Sequence, residues 1–130
     1  MLALVSASCG GSDDAATAPS APVPTAGTEP VTGQMAPGGL VIHQFYASAT
    51  GAVSVTLTTT DPPATLVGLG IGIPGANAGI CDMTKTIQAR PGTTAQLTAT
   101  VETGTYCAGT FDVGGLSTRG VLVSYSVAHP

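Results

Sequence analysis

The sequence predicts an all-β fold, an antiparallel β-sandwich of about seven strands preceded by a disordered N-terminal segment. Three observations lead there. From Leu40 onward, short runs rich in Val, Ile, Leu, Thr and Tyr alternate apolar with polar residues, the two-residue period of a half-buried strand. Turn residues punctuate these runs at fairly even spacing, the pattern of a sandwich or barrel and not of βαβ units. No stretch offers apolar residues at 3.6 spacing over three turns, and the one Ala-rich part carries prolines that forbid a helix interior.

Residues 1–9 come first. Met1 to Ala7 (MLALVSA) reads as the end of an apolar signal segment, and the small residues Ser6, Ala7 and Ser8 lead into Cys9. This resembles a lipobox, in which a peptidase cuts just before a cysteine that then carries diacylglycerol. Ser6 stands where leucine is usual and no basic stretch precedes, so the segment reads as a truncated signal peptide. Cysteine counting supports the lipid: of three cysteines one is unpaired in any disulfide scheme, and assigning Cys9 to the lipid leaves Cys81 and Cys107 as a pair suited to an oxidising compartment. A diacylated, N-acylated cysteine anchors stably where one acyl chain does not.

Residues 10–39 form the second segment, in which Pro19, Pro22, Pro24, Pro30 and Pro37 are spread among Ala, Thr, Gly and Ser. This composition cannot bury enough apolar area to offset its ordering entropy, so a disordered leash is expected. Its root-mean-square span is about 30 Å, enough to hold a domain clear of lipid head groups.

Residues 40–130 form the folded domain. Seven strands are predicted, over Leu40–Ser48, Ala52–Thr59, Ala64–Ile73, Ile80–Ala89, Thr94–Glu102, Thr105–Val113 and Gly120–Ala128. Asp61-Pro62-Pro63, Pro74-Gly75, Pro91-Gly92 and Gly114-Gly115 are among the turns between them. Val53, Val55 and Leu57 share one face of their strand, as do Leu97, Ala99 and Val101, and Val121, Val123, Tyr125 and Val127; these faces should form the core. The Cys81–Cys107 bond then links the fourth predicted strand to the sixth.

Composition excludes several function classes. Lys, Arg, Asp and Glu make up 8% of the chain, against about 25% in an ordinary soluble domain, and Thr, Ser and Gly fill the positions that face water. With a net charge of -4 and only three basic residues, Lys85, Arg90 and Arg119, there is no basic stripe for nucleic acid. Trp is absent and the five aromatic residues offer few stacking platforms for sugars or bases.

Three motifs invite a chemical reading and do not sustain it. Gly70-Ile71-Gly72-Ile73-Pro74-Gly75 satisfies G-x-G-x-x-G, but no helix or βαβ unit can follow, so it reads as a glycine-rich strand where the sheet twists or another backbone approaches closely. His43 could meet Asp82 or Asp112 in space, yet no G-x-S-x-G elbow exists, and His129 is the penultimate residue. Two separated histidines cannot readily supply a zinc site, and a calcium ion could draw only on Asp82, Asp112 and loop carbonyls. No catalytic residue, metal or cofactor is assigned.

The run Gly104-Thr105-Tyr106-Cys107-Ala108-Gly109-Thr110-Phe111-Asp112-Val113-Gly114, followed by Val123-Ser124-Tyr125-Ser126-Val127-Ala128-His129-Pro130, resembles the last two strands of bacterial pre-peptidase C-terminal-like domains. His43-Gln44-Phe45 and Gly51-Ala52-Val53-Ser54-Val55-Thr56-Leu57 follow the same pattern, so the resemblance covers about Leu40 to His129. It implies a jelly-roll-like sandwich that often accompanies secreted enzymes and is not itself catalytic; within these 130 residues no enzymatic segment is expected beside it. The function expected is a non-catalytic lipoprotein module of the cell envelope, anchored to the membrane through Cys9. It would meet envelope protein or glycan through Thr/Ser strand faces or the loops Asp61–Ala64 and Gly114–Gly120. The alternatives are a surface protein that self-assembles through exposed strand edges, and a small hydrolase with an unrecognised site.

Overall fold

A computed structural model describes residues 26–77 and 79–130; Cys9 and the leash as far as residue 25 lie outside them. Eight antiparallel strands form two four-stranded sheets, with no helix among the described residues. They are β1 (Gly27–Met35), β2 (Leu40–Ala47), β3 (Gly51–Asp61), β4 (Val67–Pro74), β5 (Cys81–Ala89), β6 (Leu97–Val101), β7 (Gly104–Phe111) and β8 (Val121–His129). One sheet runs β1-β8-β3-β6 and the other β2-β7-β4-β5. First strand beside last and second beside seventh is jelly-roll order.

The strand beyond the expected seven is β1, which corrects the reading of 10–39 as leash throughout. Glu29, Val31, Gly33 and Met35 turn inward while Thr28, Pro30, Thr32 and Gln34 face solvent, and the strand pairs with β8 from Gly27↔His129 to Met35↔Val121. Pro30 and Gly33 hid it. Proline is tolerated at a sheet edge, where one side of the strand has no ladder to donate to.

β6 is shorter than expected because a side chain replaces its beginning. The Gln96 carboxamide oxygen accepts from Leu57 N–H at 2.8 Å and its amide donates to the Leu57 carbonyl at 3.1 Å, as a paired strand residue would. This occurs beside the register shift of β3 between Leu57 and Thr59.

The core lies between the sheets, and the alternation placed it correctly: Val53, Val55, Leu57, Leu97, Val101, Val121, Val123, Tyr125 and Val127 are all buried, with Ala99 packed at its margin. The Tyr125 hydroxyl crosses from one sheet to the other, donating to the carbonyls of Val41 at 3.0 Å and Ala108 at 3.4 Å. Burial pushes this phenol well above its usual pKa, so it remains a donor.

β4 is buried on both faces from Val67 to Gly72. Leu69 and Ile71 enter the core, while on the opposite face Phe111 lies against Gly68 and Met83 against Gly70. At Gly72 the Asp82 carbonyl approaches so closely that a Cβ has no room, which is the role left to this glycine run once a nucleotide site is set aside. Beside it the Cys81–Cys107 disulfide, with Cα atoms 6.0 Å apart, joins β5 to β7, the two strands flanking β4.

Candidate functional site

Two polar constellations stand out, at opposite ends of the β1-β8-β3-β6 sheet. The first contains both histidines. Glu29 on β1 receives His43 Nε2 from β2 at 2.6 Å and His129 Nε2 from β8 at 2.5 Å, one ring on each carboxylate oxygen. Since β2 belongs to the other sheet, the carboxylate ties the two layers together along one open side of the sandwich. His129 is buried and stacked on Phe45 with ring centroids 5.2 Å apart, and its Nδ1 lies 3.2 Å from the Pro130 carbonyl oxygen. Along the other open side, Lys85 Nζ on β5 donates to the Thr98 carbonyl on β6 at 2.5 Å.

His43 therefore meets neither Asp82 nor Asp112. Asp112 instead accepts from the backbone N–H groups of Gly38 and Gly114, both at 2.7 Å, and these hold its carboxyl below the usual range. Asp82 sits opposite Ile73 near Cys107, while Asp112 follows Phe111 at the far end of β7, so the two do not gather around one ion. Among the described residues, no group of three or more His, Cys, Asp and Glu is placed to hold a metal. Neither imidazole hydrogen-bonds a hydroxyl or thiol among those residues, so the Glu29 cluster has the form of a structural clamp.

The hydrogen bond from His43, joined by that from His129, lowers the pKa of Glu29 against the opposing effect of its burial. A carboxylate whose pKa falls on folding stabilises the native state above its unfolded pKa, and that contribution disappears as pH drops through the folded value. With the Glu29 side chain 39% exposed, solvent screening limits it to about 1 kcal/mol or less. Urea midpoints followed from pH 6 down to pH 3 should fall more steeply for the wild type than for Glu29→Gln. Parallel curves would show that the clamp contributes no pH-dependent stability.

The second constellation is a recess of about 410 Å³ lined by Gln34, Asp61, Pro62, Arg119, Gly120 and Leu122. The strand register builds its floor: Leu122 on β8 pairs with Gln34 on one side and Asp61 on the other, and all three are exposed on the outer face of the sheet. Arg119 closes it from the turn before β8, and its backbone is held from both sides. The Gln34 amide donates to the Arg119 carbonyl at 3.2 Å, and Gly120 N–H donates to the Ser117 carbonyl at 2.9 Å. Gly120 takes a left-handed φ of 76° and lies against the Met35 carbonyl, where a Cβ has no room.

The outer face continues from this recess as rows of small hydroxyls. Thr32, Ser124 and Thr59 follow across β1, β8 and β3, with Thr32 and Ser124 hydroxyls 3.1 Å apart, and Ser126 with Thr56 comes further along. A second groove, of about 370 Å³ between Ile71, Ile73, Thr84, Val101, Glu102 and Tyr106, carries a single charged group.

The loops Asp61–Ala64 and Gly114–Gly120, expected from sequence to be binding loops, each contribute to the first recess. Gln34, Glu29 and the partnership of the two histidines are not evident from the sequence, because β1 has the composition of a leash and His129 is the penultimate residue. The one available signal was the alternation of Glu29, Val31, Gly33 and Met35. Cys9 lies outside the described residues. No protein-family model matches this chain, and no curated protein matches it.

Proposed function

We propose that this chain is a non-catalytic module of the bacterial cell envelope, tethered through a lipid on Cys9, that binds envelope protein or glycan. The ligand site is the Gln34–Asp61–Arg119–Leu122 recess, together with the hydroxyl rows that lead from it. The observation that carries the reading is directional. The chain enters the domain at Gly27, beside His129, whereas the recess lies where β1 ends at Met35, roughly 25 Å further along the strand. A tether at one end and a pre-shaped polar recess at the other suits display of a binding site away from the membrane.

The resemblance to pre-peptidase C-terminal-like domains supports a non-catalytic role, and the jelly-roll strand order agrees with what that resemblance implies. Self-assembly through strand edges gains no support, since Glu29 with its histidines on one open side and Lys85 on the other put charged groups where flat edges would have to pair. Cosedimentation with purified cell-wall material provides the test. The full chain should pellet with the wall, and the double variant Asp61→Asn, Arg119→Gln should lose most of that binding. Equal pelleting of the variant would remove the recess from the proposal.

A further inference from the structure

We infer that the recess takes the zwitterionic head of an α-amino acid, its ammonium on Asp61 and its carboxylate on Arg119. This rests on the reading of the recess as a binding site and supplies the chemistry of its ligand. Glu29 is held by two imidazoles, Asp112 by two backbone N–H groups, and Lys85 by the Thr98 carbonyl. Asp61 and Arg119, like Asp82, Glu102 and Arg90, carry no side-chain hydrogen bond among the described residues; what sets this pair apart is that both line one recess. Although they share it, they form no ion pair within 4.0 Å with each other; the ion pairs among the described residues are those of Glu29 with His43 and His129, at the other end of the sheet.

Two opposite charges that share a recess without touching favour a ligand that bears both. A simple carboxylate or amine would neutralise one of them, and a neutral sugar neither. The recess also lacks an aromatic ring on which a sugar could stack. Gln34 adds a second acceptor for an ammonium: its amide nitrogen is committed to the Arg119 carbonyl, while its carboxamide oxygen has no partner among the described residues. Leu122, 41% exposed, and Pro62 offer apolar contact to the carbon between the ligand's charges. The Arg119 backbone is held by Gln34 and by the Gly120 turn, so the ordering left for binding is that of the side chain.

The same head is carried by free amino acids and by cell-wall peptides that end in an amino-acid centre. Isotope-labelled full chain should be titrated with alanine at low salt and near-neutral pH, with acetate, methylamine and N-acetylglucosamine as comparators. Alanine should shift the amides of Asp61, Arg119, Gly120 and Leu122 in a saturable way, with weakening as salt is raised. Asp61→Asn and Arg119→Gln, both at exposed positions, should each weaken binding about tenfold. A wall peptide with a free amino-acid head that binds more tightly than alanine identifies the peptide as the source, and equal binding identifies the free amino acid. Acetate or methylamine matching alanine would overturn the zwitterion. N-acetylglucosamine moving these amides while alanine leaves them still would overturn it too, yet keep the recess as a binding site, and silence from every probe would remove both.

Discussion

Replacing Cys81 and Cys107 together by alanine should lower stability by about 3.5 kcal/mol, the loop-closure value for a bridge of this size in a chain-entropy account. The described domain is small, and net stabilities of 5–15 kcal/mol are usual, so the loss is a large share of the whole. Placement sharpens the expectation. The bond joins β5, an edge strand, to β7 across β4, and β5 has only β4 as a ladder partner. In the double variant, hydrogen exchange should therefore accelerate most in Cys81–Ala89, ahead of the β2–β7 pairing. The measurement is the urea midpoint of the oxidised wild type against the variant. A difference below about 1 kcal/mol would mean that β5 is held by packing alone.

Tyr125→Ala should cost about 3–5 kcal/mol, comparable to other large aromatic truncations in a closed core. Tyr125 is the largest fully buried side chain among the described residues, and it stands at the centre of β8 between β1 and β3. Its loss removes apolar contact and also strips a donor from the Val41 and Ala108 carbonyls of the opposite sheet. Tyr125→Phe separates these effects, since the ring stays and only the hydroxyl goes; it should cost about 1–2 kcal/mol. Thermal or urea unfolding of the two variants measures both. If Tyr125→Phe were neutral, the bond between the sheets would be replaceable by water and the tyrosine would serve only as volume.

The elements legible in the sequence were those with a strong two-residue period. The runs Val53-Val55-Leu57 and Val121-Val123-Tyr125-Val127 needed no neighbour to reveal which face is buried, because a strand with one dry face must alternate. β1 escaped for the opposite reason. An edge strand in contact with one partner buries little, so Val31 and Met35 supply its inward aliphatic side chains and Pro30 and Gly33 imitate a linker. The disulfide was legible from counting, whereas its passage beside Gly72 was not, since nothing in the run Gly70-Ile71-Gly72 says which backbone will lie against it.

The recess at Asp61 and Arg119 divides in the same way. The loops at Asp61 and before Gly120 were marked by their turn residues, but their meeting depends on β3 and β8 being neighbours, and on β1 bringing Gln34 to the other side of Leu122. The Glu29 clamp is further still from sequence reach, as its three side chains come from positions 29, 43 and 129 and from both sheets.

By itself, then, the sequence determined the all-β class, the inward face of most strands, the cysteine pair and the absence of a recognisable catalytic motif, because each follows from local period, turn chemistry or counting. The tertiary structure alone decided that the segment before Leu40 yields an eighth strand, that both histidines close on one carboxylate, and that Asp61 and Arg119, unpaired among the described residues, share a recess. The physical reason is the jelly-roll connection itself. It pairs the first strand with the last, so the decisive contacts span most of the chain, and no local pattern encodes which strand edge a distant segment will meet.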